Sequence, residues 1–273
     1  MSRRTQSRIQ FAVPLTTVLV AGLIGSIAPA LGDVSKWTQP PDTSADGYDV
    51  LASWKLDPVY NKVVADDFRC DQSGPITDIH VWGSWLFDQI APNTSFHLSI
   101  HQDVPAQGQT PSHPGALIGS WDFAPGSYTE IFYANVPDGG HEMFYNPNNG
   151  QNIGTDTKIY QYNFTIPEGQ TINQEYGTIY WLDVQANVSG DTTSLFGWKT
   201  SIQHFQDDAA YGDNQAFGQA PSTWNELVIA GNSKDMAFEI TTVPEPHLCA
   251  LMTALVLAGF AIRRRCALRR SGS

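Results

Sequence analysis

Apolar and polar residues alternate with a period of two along most of the central chain. In residues 79–87 the odd positions are mostly apolar, and Phe96, Leu98 and Ile100 alternate with polar neighbours. Successive side chains of a strand point to opposite faces, so this period indicates strands with one buried face. No long window outside the terminal segments has the 3.6-residue period of an amphipathic helix.

The alternation and the turn formers between its segments predict an all-β fold. Gly- and Pro-rich turns, such as residues 125–126, 138–140 and 146–150, separate the apolar segments. Short strands at this spacing favour an antiparallel two-sheet β-sandwich of jelly-roll-like type. Strands are predicted at residues 79–87, 96–101, 117–123, 131–134, 159–166, 178–188, 195–200, 226–230 and 236–242.

The central chain is strongly acidic. Eight of the 15 basic residues lie in the terminal segments, which leaves 7 basic and 26 acidic residues in positions 33–242, a net charge of −19. Such a surface repels phosphate backbones and anionic lipid headgroups. We therefore expect no nucleic acid partner, and contact with a membrane only through the terminal segments.

The first 32 residues have the order of a secretory signal. Arg3, Arg4 and Arg8 precede an apolar stretch, and small residues at 28 and 30, or at 30 and 32, suit a signal peptidase. We predict a signal peptide over 1–32, with a signal helix, and a β-sandwich domain over 33–242. An uncleaved N-terminal anchor is the alternative, because the apolar stretch is long.

Residues 243–273 have the features of a second targeting segment. An apolar stretch over residues 248–262 makes roughly 22 Å of helix, shorter than a ~30 Å hydrocarbon core. Arginines beyond it favour a cytoplasmic end and leave the body outside. The flanking motifs are Val243-Pro244-Glu245-Pro246 before the stretch and Arg263-Arg264-Arg265 after it.

This order of motif, apolar helix and arginines resembles the PEP-CTERM sorting tail of bacteria that make extracellular polysaccharide. The resemblance implies an exosortase as partner and removal of the tail after export. An ordinary single-span anchor is the alternative. In either case we expect an exported protein at the cell surface or in the extracellular matrix, with transient or retained anchoring in the inner membrane through the C-terminal helix.

The body resembles a domain of unknown function found in such exported proteins. The resemblance implies a β-sandwich and supplies no activity. It is carried by Lys36-Trp37, Gly47-Tyr48-Asp49, Val64-Ala65-Asp66-Asp67-Phe68, Tyr180-Trp181-Leu182-Asp183, Phe196-Gly197-Trp198-Lys199-Thr200, Asp207-Asp208-Ala209 and Met236-Ala237-Phe238-Glu239-Ile240.

Two Asp-Asp pairs and two further acids suggest a calcium site. Ca²⁺ takes 6–8 oxygen ligands, and extracellular modules bind it even with weak sites. The predicted ligands are Asp66, Asp67, Asp207, Asp208, Asp235 and Glu239. The same acids suit the carboxylate pair of a glycosidase, although neighbouring Asp residues in a strand point to opposite faces.

The histidines and cysteines give weaker signals. His80, His97 and His101 lie on polar faces of neighbouring predicted strands. If residues 76–87 and 96–101 formed a hairpin, His101 would lie near His80 and Trp82, which could begin a transition-metal site; solvated surface histidines are the alternative. Cys70 is the one cysteine of residues 33–242, which excludes a disulfide within this body and indicates a small buried residue.

Aromatic residues suggest glycan contacts. Trp82 alternates with His80 and Ser84 on the polar face of its predicted strand, where an exposed ring would stack on a sugar. Tyr133 and Tyr145 flank turns where a site at the loop ends would form.

No sequence motif of a known catalytic site occurs in the body. We therefore expect a non-enzymatic, structural or adhesive β-sandwich. The alternatives are a carbohydrate-binding module for exopolysaccharide and a polysaccharide hydrolase or lyase.

Overall fold

The computed structural model describes residues 33–191 and 193–243, all within one structural unit. The predicted signal helix, and the predicted sorting helix beyond Val243, lie outside the described residues. Among the described residues there is no α-helix, and none of the helical turns has the length and apolar character that a membrane crossing requires. For the described residues, the prediction of an all-β fold is confirmed.

The strands are short and follow one another closely along the chain. Three 3-10 turns interrupt them, at Pro58–Tyr60, Leu86–Asp88 and Pro137–Gly139. The strands are β1 (Val34–Gln39), β2 (Tyr48–Leu51), β3 (Ser53–Trp54), β4 (Lys62–Arg69), β5 (Gly74–Pro75), β6 (Asp78–Trp85), β7 (Ser95–Val104), β8 (His113–Phe123), β9 (Thr129–Asn135), β10 (Glu142–Asn146), β11 (Gln151–Asp156), β12 (Lys158–Thr165), β13 (Asn173–Gln174), β14 (Ile179–Asn187), β15 (Phe196–Lys199), β16 (Ala210–Asp213), β17 (Asn225–Glu226), β18 (Val228–Ile229), β19 (Asn232–Ser233) and β20 (Phe238–Thr242).

The first sheet has nine strands and is organised around β6. One edge of β6 pairs with β12, which pairs in turn with β9. The other edge pairs with β20 over its first half and with β15 over its second half. β20 pairs in turn with β1, while β15 pairs with β2, from which the sheet continues through β10 to β11.

The second sheet has seven strands, with β14 at its centre. β14 pairs with β7 along one edge and with β4 along the other, where the short β3 extends the pairing. β8 lies beyond β7, and β16 and β17 lie beyond β4. Two small two-stranded sheets, β5 with β13 and β18 with β19, complete the described strands.

Aromatic rings join the two larger sheets. Phe68 of β4 lies 5.6 Å from Phe238 of β20, and Phe123 of β8 lies 4.8 Å from Phe164 of β12, measured between ring centroids. Phe96 of β7 contacts Phe164 as well, at 5.3 Å. These inward-facing positions belong to one buried apolar cluster, so the faces that the sequence period predicts as buried meet each other.

The chain crosses between the two sheets at Ala52. Its N–H donates to the Phe196 carbonyl of the first sheet, and its own carbonyl accepts from the N–H of Ala186 in the second. The strands on either side of this crossing, β2 and β3, form the parallel pairs β2–β10 and β3–β14. These pairs depart from the purely antiparallel arrangement that the sequence predicts, because each half of one extended segment joins a different sheet.

Gly83 and Gly197 allow β6 and β15 to approach closely. A Cβ on Gly83 would lie 2.5 Å from the Gly197 carbonyl oxygen and 2.5 Å from Cζ of Phe196. We expect Gly83→Ala to lower the free energy of unfolding by about 1–3 kcal/mol, because the backbone must move to relieve the contact. Urea denaturation followed by circular dichroism measures the change.

Gly190→Ala is the matched control, since a Cβ there meets nothing within 4 Å. Equal stability of the two alanine variants would contradict the close-approach argument.

Candidate metal centre

Four neighbouring strands of the first sheet bring three carboxylates and one ammonium group together. Lys199 of β15 lies directly opposite Asp49 of β2, and Glu142 of β10 lies directly opposite Asp156 of β11. The parallel pair β2–β10 places Asp49 opposite Phe144, two residues from Glu142 and on the same face of the sheet. We call these four residues the acidic cluster.

The ligand oxygens of Asp49, Glu142 and Asp156 all lie within 4.8 Å of one another. Lys199 Nζ donates to Glu142 Oε2 at 2.5 Å and lies 3.6 Å from Asp49 Oδ2. All four side chains are buried. Among the described residues this is the one place where three or more potential metal ligands converge in this way.

Burial dominates the electrostatics of the acidic cluster. It raises the pKa of Glu142 to about 8, with Asp49 adding to the effect and Lys199 opposing it. Burial, Asp49 and Glu142 together raise the pKa of Asp156 to about 10. Burial by itself lowers the pKa of Lys199, but the neighbouring carboxylates outweigh it and raise the value. The ammonium form of Lys199 is therefore the stable one here.

Most carboxylate oxygens of the acidic cluster accept no hydrogen bond. Within residues 33–191 and 193–243, both oxygens of Asp49, both of Asp156 and Oε1 of Glu142 are buried without a hydrogen-bond donor. Buried polar groups are normally paired. The arrangement can share protons between its carboxyl groups or hold a cation.

The segment before β2 packs directly on the acidic cluster. A Cβ on Gly47 would lie 2.6 Å from Lys199 Nζ and 2.6 Å from the Asp42 carbonyl oxygen. Only glycine leaves room for the ammonium group at this point. The backbone of this segment therefore helps to exclude water from Lys199.

The six predicted calcium ligands do not meet at one point. Asp66 faces the core cluster, where Gln39 Nε2 donates to its Oδ2 at 2.9 Å and the Met236 N–H donates at 2.7 Å. Asp235 accepts from His204 Nδ1 at 2.8 Å, and its pKa rises to about 6, chiefly through burial. No three of the six have ligand atoms close enough to share an ion.

The charges of several of the predicted acids affect one another, but each acid has its own hydrogen-bond donors or neighbours. Asp207 accepts a hydrogen bond from Ser112 Oγ at 2.6 Å. Glu239 of β20 accepts a hydrogen bond from Thr38 Oγ1 of β1 at 3.3 Å. Asp208 lies near Glu226, and burial followed by that charge raises its pKa. Adjacent residues of β4 point to opposite faces, which is why Asp66 and Asp67 are separated.

Asp67 lies on the outer face of the second sheet, directly opposite Trp181. Both of its carboxylate oxygens are buried without a donor. Burial, followed by the charges of Asp235, Asp207 and Asp103, raises its pKa to about 9. It is thus a second place where a carboxyl group is held without a partner.

The histidines proposed for a transition-metal site lie in different sheets. β6, which carries His80, pairs with β12, β15 and β20, whereas β7, which carries His97 and His101, pairs with β8 and β14. The hairpin that would have joined them does not form. Each histidine has its own partner: Asn163 for His80, Asp122 for His97 and Asp183 for His101.

Ser99, His101 and Asp183 resemble a catalytic triad in composition only. Nε2 of His101 contacts both Ser99 Oγ at 2.8 Å and Asp183 Oδ2 at 2.9 Å, while Nδ1 faces the Gly115 carbonyl. A triad requires serine and aspartate on different ring nitrogens. Burial lowers the pKa of His101, but Asp183 outweighs it and raises the value, which fits a buried ion pair.

Of the predicted glycan contacts, Tyr133 presents the most surface. Trp82 is 6% exposed, because Ile159, Ala237 and Tyr133 cover it, so the prediction of an exposed Trp82 ring was wrong. Tyr145 is 8% exposed and packs against Tyr48. Tyr133 is 46% exposed, and its ring lies edge-to-face on Trp82 at 5.8 Å.

Sequence reasoning missed the acidic cluster as a group. One signal was present: Lys199 directly follows the apolar residues 195–198, and a charge inside a buried strand implies a carboxylate partner. Glu142 and Asp156 carried no signal, because single acids at strand ends are ordinary in an acidic chain. The prediction that Cys70 is a small buried residue is confirmed; it is a buried free thiol.

The raised pKa of Asp67 makes the stability of the protein depend on pH. Its contribution is fully present below the pKa of the unfolded carboxyl group, about 3.9, and is lost as the pH rises toward about 9. We expect Asp67→Asn to be more stable than the wild type at pH 8, by on the order of 2 kcal/mol, and to approach it at pH 4. Urea denaturation across this pH range measures the difference.

Asp46→Asn, at an exposed carboxylate, is the matched control and should show no such trend. A pH-independent difference for Asp67→Asn would contradict the argument.

Comparison with known proteins gives a family but no activity. The family model described as a domain of unknown function, DUF7901, matches residues 35–241. No curated protein and no solved structure matches the chain. The matched range runs from β1 to β20 and includes the acidic cluster, Asp67 and Tyr133. The chain therefore belongs to the DUF7901 family of domains of unknown function.

Proposed function

We propose that this protein is a non-enzymatic, exported β-sandwich with a structural or adhesive role at the cell surface or in the extracellular matrix. The observation that carries the proposal is the burial of two groups of polar side chains that could otherwise perform chemistry. Ser99, His101 and Asp183 are each 2% exposed, and the acidic cluster is buried as well, so neither group presents its reactive atoms to a substrate at the surface.

The sequence features at the two ends support the export part of the proposal. The signal peptide, residues 1–32, directs the chain out of the cytoplasm. An exosortase then recognises Pro244-Glu245-Pro246 within the sorting segment, residues 243–273. The membrane is contacted only through these terminal segments, and the acidic body avoids nucleic acid.

The proposal includes the jelly-roll-like form of the sandwich. The ring contacts between the two larger sheets support it, and so does the placement of β1 beside β20 in one sheet. A jelly roll likewise brings its first and last strands together.

The sorting proposal predicts a change in location when the motif is altered. In cells that make the protein, the wild type should be found in the surface and matrix fractions. Glu245→Ala should remain in the inner membrane with its tail attached, because the exosortase no longer recognises it. Fractionation with detection by antibody and intact mass shows the outcome, and Glu239→Ala within the body is the control.

Release of reducing ends or unsaturated products from extracted matrix polysaccharide would contradict the non-enzymatic role and favour the hydrolase or lyase. Surface location of Glu245→Ala, equal to that of the wild type, would contradict sorting by this motif.

A carbohydrate-binding module is the second candidate, and Tyr133 favours it. β9 is an edge strand of the first sheet, and Tyr133 presents nearly half of its surface to solvent while Trp82 supports its ring from below. A supported, exposed aromatic ring is suited to stack on a sugar. Phe132, on the opposite face of the same strand, is also half-exposed and rests on Tyr160.

This second candidate predicts saturable binding that depends on Tyr133. We expect Tyr133→Ala to weaken binding to a matrix polysaccharide at least tenfold, because the stacking surface is removed. Tyr176→Ala is the matched control, since Tyr176 is 73% exposed and lies outside the first sheet. A glycan array followed by calorimetry provides the measurement. Absence of binding by folded wild-type protein would exclude the module.

A further inference from the structure

The three carboxylates of the acidic cluster have the spacing of ligands around one large cation. Two oxygens bound to the same Ca²⁺ ion are at most about twice the 2.3–2.6 Å bond length apart. The ligand oxygens of Asp49, Glu142 and Asp156 lie within 4.8 Å of one another, which meets this limit without any movement of the strands.

Five buried carboxylate oxygens that lack a hydrogen-bond donor among the described residues point to a ligand. Lys199 donates to Oε2 of Glu142 and lies 3.6 Å from Oδ2 of Asp49, too far for a hydrogen bond, so Oε1 of Glu142 and all four oxygens of Asp49 and Asp156 have no donor there. Asp49 and Glu142 are fully buried and Asp156 is 1% exposed, so bulk water does not pair with these atoms. An unpaired buried carboxylate oxygen is costly, and an ion would satisfy several at once.

The charge of the acidic cluster indicates a divalent ion. Metal binding requires the carboxyl groups to be ionised, and three carboxylates with one ammonium group then carry a net charge of −2, which one divalent cation neutralises. We propose that Asp49, Glu142 and Asp156 bind one calcium ion and that Lys199, paired with Glu142, completes the charge balance.

The ligand chemistry selects calcium among common cations. Every available donor is a carboxylate oxygen, which suits hard cations and disfavours zinc or copper, for which sulfur or imidazole ligands are usual. Mg²⁺ demands near-ideal octahedral geometry and usually keeps several of its waters, so a buried set of protein carboxylates suits it less well than Ca²⁺. Three oxygens converge here, one from each carboxylate, and carboxylates that bind through both oxygens bring the number closer to the six to eight ligands that Ca²⁺ takes.

The ion would connect three strands that hydrogen bonds join only in pairs. β2, β10 and β11 each supply one ligand. β10 is the middle strand, since it pairs in parallel with β2 on one side and antiparallel with β11 on the other. The ligands differ from the acids that the sequence singled out. Because the site is buried beneath the segment that contains Gly47, the ion would enter during folding and exchange slowly afterwards.

The test is to refold the full-length protein with and without calcium. Protein stripped with a chelator in denaturant is refolded in millimolar CaCl2, in MgCl2, or without divalent cation. After removal of free metal, elemental analysis should find one calcium per chain. The melting temperature should rise by about 5 °C or more in calcium, and less in magnesium.

Asp156→Asn and Glu142→Gln should each retain less than a tenth of the calcium that the wild type retains. Asp67→Asn is the matched control, because it removes another buried carboxylate without a donor, in the second sheet. It should bind one calcium per chain, as the wild type does.

Wild-type protein that refolds without retaining calcium, and with the same melting temperature in all three buffers, overturns the proposal. Full retention by both Asp156→Asn and Glu142→Gln also overturns it, because the ion then lies elsewhere. If either variant fails to fold, the other variant and the wild-type stoichiometry decide the question.

Discussion

Lys199 is fully buried, and the pairing of four strands depends on the carboxylates around its ammonium group. Removal of these charges from water costs several kcal/mol per ion, which is offset only while the partners remain close. A slip of one residue between β15 and β2 would turn Asp49 to the other face of the sheet. The electrostatic requirement therefore fixes the register of this end of the first sheet, including its parallel pair β2–β10.

The two larger sheets are held by different means at their centre and at their margin. In the centre, rings of Phe68, Phe96 and Phe164 pack across the interface and supply apolar burial. At the margin, the backbone of Ala52 hydrogen-bonds to both sheets, and the Ser53 hydroxyl donates to the Phe196 carbonyl. The apolar contacts have no direction, whereas the hydrogen bonds at the crossing set the alignment of the sheets.

Period-two alternation predicted strands well where burial alternates along the chain, as in β12, which corresponds to the segment 159–166. The segment 79–87 corresponds to β6, whose first half alternates in burial while its second half is buried on both faces. β4 was missed, because seven of its eight residues are buried and include Lys62, Asp66 and Asp67, so no alternation appears. Trp82 was placed on the correct strand, but its exposure depended on Tyr133 and Ile159, which come from other strands.

The all-β class, the turns, the acidic charge and the lack of a disulfide in residues 33–242 could be read from the amino-acid sequence, because each follows from local pattern or composition. Which charges lie next to one another depends on the fold. Asp49, Glu142, Asp156 and Lys199 come from distant segments, and their meeting depends on strand order and on one parallel pairing. The alternation of apolar and polar residues in a segment indicates which face of a strand each residue occupies. Which residues lie opposite it on neighbouring strands depends on long-range pairing, which no local period encodes.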